Sequence, residues 1–218
     1  MKKLCVAVAA WALAFSAQAL NIEFLGDRLT ALQVTTSKTS GYAGALEYRD
    51  LGTGQSFFAY CIEPSQTNNF DPAPFSLGTL TATQQSLLSN LYSTSYSQSF
   101  GDVVKEAGFQ LAVWEIMLDS GSGVSGLKVQ FGAAGGGNFY VLGGDDLASV
   151  TQAVNIGETY LQAALSYNGP SLYQLQALHN ASFQDIIAQP VPEPSRLALM
   201  AAGLTAVGFV AARRRRTG

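Results

Sequence analysis

The chain predicts an α+β domain, a mostly antiparallel sheet with about three helices, one of them buried. Three observations lead there. Short β-branched and aromatic stretches recur between glycine, proline and serine clusters. Longer stretches switch to helical spacing, and one of these is apolar almost all round. The two ends have compositions unlike the middle and read as flanks: a signal peptide over 1–19 and a transmembrane helix near the C-terminus.

In order along the exported part, Ile22 to Thr36 reads as one or two strands. Gly44 to Asp50 and Gln55 to Ile62 flank Leu51-Gly-Thr-Gly54, a hairpin with glycines where positive φ is required. Glu63 to Gly78, carrying Pro64, Pro72 and Pro74, reads as a loop. Thr81 to Tyr92 is helical, with Leu87, Leu88 and Leu91 on one face and a threonine cap. Asp102 to Asp119 is the buried helix. Strands are expected at Leu127–Phe131 and Asn138–Leu142, joined by a glycine-rich turn. Asp145 to Tyr167 is a long helix capped by Asp145 or Asp146, and Ser171–Ala177 and Phe183–Ala188 are closing strands.

The N-terminus has Lys2 and Lys3, an apolar run from Leu4 to Phe15, and Ala17-Gln18-Ala19 as a small-x-small cleavage signal. A run of about a dozen residues is too short to span a bilayer, so a removable secretory signal is expected. At the other end Leu197 to Ala212 is uncharged and ~24 Å long as a helix, against a ~30 Å hydrocarbon core. Arg196 and Arg213, Arg214, Arg215 and Arg216 extend it by snorkelling and hold that terminus in the cytoplasm. A permanent single-span anchor is the alternative reading of this segment, ranked below the one that follows.

Val191-Pro192-Glu193-Pro194, the apolar helix and the arginine cluster together resemble the PEP-CTERM sorting signal of Gram-negative bacteria. The resemblance covers 191–218. It implies that an exosortase in the inner membrane recognises Pro192, Glu193 and Pro194, cleaves nearby and passes the protein to the cell surface or extracellular matrix. The organisation expected is therefore a signal peptide at 1–19, an exported module at 20–190 and the sorting tail.

Whole, the chain carries 12 Lys+Arg against 15 Asp+Glu, net −3. Seven of the 12 cations but only Glu193 of the acids lie in the flanks, leaving 5 against 14, about −9. Such a domain cannot neutralise phosphates, which excludes nucleic-acid binding as a function class.

Removing the signal peptide also removes Cys5, so Cys61 stands alone in the exported part. An odd cysteine outside the cytoplasm is an intermolecular disulfide, a thiol with a task, or an inert buried residue. Gln110 bears on the choice. It shares a helical face with Val103, Ala107, Trp114 and Met117, where an unpartnered amide costs roughly 1–3 kcal/mol. Either loop backbone satisfies it or its carboxamide is a reactant.

Tyr60-Cys61-Ile62 followed by Gln110-Leu-Ala-Val-Trp114 resembles the Cys–Gln thioester domains of bacterial surface adhesins, the TQXA group, departing at Phe109 where those have threonine. The resemblance implies that Cys61 attacks the Gln110 carboxamide, ammonia leaves, and an internal thioester awaits an amine-bearing surface or exopolysaccharide component. Trp114 would shield it, with Tyr60 and Glu115 as further helpers. Such a bond is a single-use acylating group, so the protein is not expected to be an enzyme with turnover. The alternative is a non-covalent structural or exopolysaccharide-associated matrix protein of the same fold with an inert cysteine; a secreted hydrolase ranks third.

No cofactor and no metal are expected. His179 is the sole histidine, which excludes a multi-histidine zinc site, and no motif supports a Cys61–His179 nucleophile pair. Gly121 to Gly126 matches GxGxxG but follows a helix, the wrong context for a dinucleotide, and reads as a turn. Gly135-Gly-Gly-Asn138 lacks the Lys-Ser/Thr of a phosphate loop. Gly143-Gly-Asp-Asp146 reads as a helix cap rather than a Ca²⁺ loop.

Overall fold

The computed structural model describes residues 19–120, 124–133 and 137–189. The expected signal peptide, apart from residue 19, and the expected sorting tail lie outside the described residues.

The first stretch gives two strands, β1 (Leu20–Asp27) and β2 (Leu32–Thr36). The next strand, β3 (Ser40–Ala43), is too short and glycine-rich to be seen in the pattern; it pairs with β2 and places Tyr42 beside Gln33. The predicted hairpin forms as β4 (Leu46–Asp50) and β5 (Ser56–Cys61). Gly54 has φ +73 in its turn, and the Asp50 carboxylate accepts from the Gly52 N–H at 2.8 Å and the Thr53 hydroxyl at 2.7 Å.

The expected loop from Glu63 to Gly78 is interrupted by a strand, β6 (Ala73–Leu77). Pro74 is tolerated inside it for a specific reason. On the far side from β1, pairing begins only at Ser76, so the missing proline N–H faces no ladder partner.

The helices are α1 (Ala82–Ser99), α2 (Val103–Asp119) and α3 (Leu147–Ser166), capped by Thr81, Asp102 and Asp146. Thr81 and Gln84 form a reciprocal capping box. Every residue of α2 from Glu106 to Ile116 is buried, as its apolar circumference predicts.

The expected hairpin at 127–142 does not form. Only β7 (Val141–Gly143) is a strand, and it pairs with β2. Residues 127–131 make a single parallel bridge to it, Phe131 with Val141. Carboxylates have taken the backbone donors that a ladder needs. Glu115 accepts from Lys128 N–H and Glu158 from Val129 N–H, both at 2.8 Å. Asp119 accepts from Asn138 and Phe139 at 2.9 and 3.0 Å.

The closing strands are β8 (Gln176–His179) and β9 (Ile186–Ala188). Instead of one open sheet, the strands form a closed six-stranded barrel, in the order β1-β4-β5-β9-β8-β6, and a separate three-stranded sheet, β3-β2-β7. All the strand pairings are antiparallel. Alternation puts Ile22, Phe24, Tyr48, Phe57, Phe75 and Ile186 inside the barrel, with Tyr48 in ring contact with Phe24, Phe57 and Phe75. The outer face carries Tyr60 against Tyr92, Tyr96 and Phe109 of the helices.

Candidate functional site

The β4–β5 ladder stops at Leu46 and Ala59. Two residues further on, Cys61 presents its N–H and C=O to the same side, where β4 has run out. Gln110 on α2 takes both. The Cys61 N–H donates to Gln110 Oε1 at 3.0 Å, and Gln110 Nε2 donates to the Cys61 carbonyl at 2.7 Å. The two residues are only 3 % and 1 % exposed. An amide that seemed stranded on an apolar helix thus acts as one more rung of the ladder, and its hydrogen-bond capacity is met where it most needs to be.

The Cys61 side chain shares parity with Phe57 and Ala59, so it points into the barrel, beside its ladder partner Ile186. Burial pushes the thiol up to about 12, while the Trp114 indole N–H and the Glu63 backbone N–H act on the sulfur in the opposite sense. The thiol is therefore protonated at neutral pH. The indole nitrogen of Trp114 is itself buried without a hydrogen-bond partner.

Of the three suggested helpers, Trp114 is the one that counters the rise of the thiol. Tyr60 points the other way, to the helix side, with its hydroxyl 3.3 Å from Ser99 Oγ. Glu115 turns to the Lys128 N–H through one oxygen, and its other oxygen is buried without a partner. His179 does not approach Cys61 as a base; its Nδ1 pairs with Asp185 at 2.8 Å on the barrel exterior. Asp146 caps α3, as read, accepting from Ala148 and Ser149 at 3.1 and 3.3 Å. Among the described residues no group of histidine, cysteine, aspartate and glutamate side chains is arranged to hold a metal. Among the described residues no helix is long and apolar enough to cross a membrane. Pro192, Glu193, Pro194 and Arg213 to Arg216, expected to form a sorting signal, lie outside the described residues.

One interaction beside the pair was missed. Glu106, one turn before Gln110, is 1 % exposed and accepts from Arg28 and, at 3.1 Å, from the Gly101 N–H. The Arg28 guanidinium lies over the rings of Phe100 and Phe58, 4.6 and 5.2 Å from their centroids. The available signal was a glutamate inside the most apolar helix of a domain with few cations. A buried carboxylate there demands one of them.

A cavity of about 350 Å³, lined by Leu77, Leu80, Gln85, Gln174 and Gln176, opens elsewhere and touches neither Cys61 nor Gln110. No protein-family model, curated protein or solved structure matches the chain.

Proposed function

We propose that this is an exosortase-sorted bacterial surface or matrix protein whose domain joins Cys61 to Gln110 in an internal thioester, used once to acylate an amine. The observation carrying the reading is the two-way hydrogen bonding between the Gln110 carboxamide and Cys61, in a buried setting. The reaction balances without an external reagent. The sulfur bonds to the Gln110 amide carbon, the carbon–nitrogen bond breaks, and the thiol proton leaves with the nitrogen as ammonia. The Cys61 N–H already on Oε1 is placed to stabilise the oxyanion of the tetrahedral intermediate. Burial then keeps water from the product. Export and sorting through Pro192-Glu193-Pro194 rest on the sequence resemblance alone, as do the inner-membrane stage and an amine-bearing surface or exopolysaccharide partner.

A second reading is favoured by the same bonds. Both ends of the amide are satisfied, as in a purely structural ladder cap, and Cys61 is then an inert core residue of a non-covalent matrix protein. Intact mass of the 20–190 domain, purified fresh at mildly acidic pH, separates the two. The thioester reading expects a loss of one ammonia that is absent in Cys61→Ala and Gln110→Ala. Full mass, with Cys61 alkylated once the chain is denatured, would sink it.

A further inference from the structure

We propose that residues 63–72 form a gate over the mouth of the barrel, and that the Tyr48–Asn68 hydrogen bond is the latch controlling which reagents reach Cys61. This rests on the Cys61–Gln110 reading for its purpose, though not for its geometry.

Cys61 faces the barrel interior, and the residues that close the end of that interior belong to this segment. It runs from the end of β5, just past Cys61, to the start of β6 at Ala73, and the strand registers put both at the same end of the barrel. Further along, Asn68, Asn69 and Asp71 meet Ile22, Phe24 and Tyr48 around a space of about 10 Å³. A single water needs about 10–15 Å³, so this space holds at most one water while the segment is seated.

The seating is slight. Among the described residues its hydrogen bonds to the rest of the domain are Tyr48 Oη to Asn68 Oδ1 at 2.7 Å and Gln184 N–H to the Thr67 carbonyl at 3.3 Å. Phe70 covers Phe24 at 5.1 Å between centroids yet is 67 % exposed. Gln66 Oε1 is buried without a partner, which favours the opened loop, where water satisfies it. Pro64 and Pro72 stand near the two ends of the segment and limit motion within its arms. A loop with two hydrogen bonds to its surroundings, one largely exposed ring and one orphaned oxygen sits at the low end of local stability. Tyr48 and Asn68 are thus specificity-determining by access, without touching the reacting atoms.

The test reads Cys61 reactivity under native conditions, after intact mass has shown which group is present. If the thioester is present, uptake of methylamine is followed; if the thiol is free, alkylation by iodoacetamide is followed. Tyr48→Phe and Asn68→Ala each should speed the reaction roughly 2- to 10-fold, the opening gained by losing one hydrogen bond. A bulkier amine or alkylator should gain more than the small one. Ser37→Ala, which removes a 2.7 Å bond to the Asn138 carbonyl beside the separate sheet, should leave the rate alone. Wild-type rates in both latch variants would overturn the gate, and so would equal acceleration by Ser37→Ala, which would mark global opening. Absence of the ammonia loss defeats the thioester without touching the gate.

Discussion

Glu115 is pushed up to about 7 by its burial, with Asp119 and Glu158 pushing the same way and the Lys128 N–H opposing. A glutamate's ordinary value is near 4.5, so between there and about 7 the folded chain holds a proton the unfolded chain has released. Stability therefore falls as pH rises through that window and levels off above it. Glu115→Gln keeps an acceptor for Lys128 and cannot ionise. Urea midpoints measured from about pH 5 to 7 should slope less steeply in this variant than in wild type. Identical slopes would disconnect Glu115 from the pH dependence. Arg28 supports a different prediction. Arg28→Ala leaves the Glu106 carboxylate buried without its cation and should cost about 3 kcal/mol in a denaturant melt. A loss under about 1 kcal/mol would assign the guanidinium to the surface. At this scale the sequence shows demand better than supply. A glutamine and a glutamate on an apolar helix announce that partners exist, but the partners are a strand backbone and a distant arginine. Neither has a local signature.

Two helices approach unusually closely where α2 meets α3, and the contact is made by glycines. A Cβ on Gly108 would stand 2.9 Å from the Ala153 carbonyl oxygen and 3.1 Å from the Gly157 nitrogen. These are backbone atoms and cannot step aside, so Gly108→Ala should destabilise by about 1–3 kcal/mol although alanine is the better helix former. A stability gain in a thermal melt would refute the close-contact account. The helices themselves were legible from spacing and caps, because those signals are local. The length of α1 was not: it continues past Tyr92 through a serine- and threonine-rich turn of low propensity. Ser93 and Thr94 hydroxyls bond back to the carbonyls of Ser89 and Asn90 at 2.7 and 2.9 Å, and Tyr96 packs on Phe100 at 4.6 Å. Strand β6 was hidden by its proline, and the 127–131 strand was expected because apolar alternation does not reveal that carboxylates claim the backbone.

The described part of the molecule is a barrel and a small sheet joined by helices, of which α2 is buried, and here the sequence pattern carried least. Alternation marks which residues face inward but not that the sheet closes on itself, since closure depends on pairings such as β5 with β9, far apart in the chain. The strand order has a further meaning in time. The neighbours that complete the wall beside Cys61 are β9 and then β8, the last two strands of the domain. A chain emerging from its N-terminus has Cys61 and Gln110 available long before Ile186 arrives to cover the thiol. Until then the barrel has an open seam, and the sulfur meets whatever oxidants and thiols its compartment contains. The arrival of the last dozen or so residues before the tail is the moment at which this cysteine is withdrawn from its surroundings.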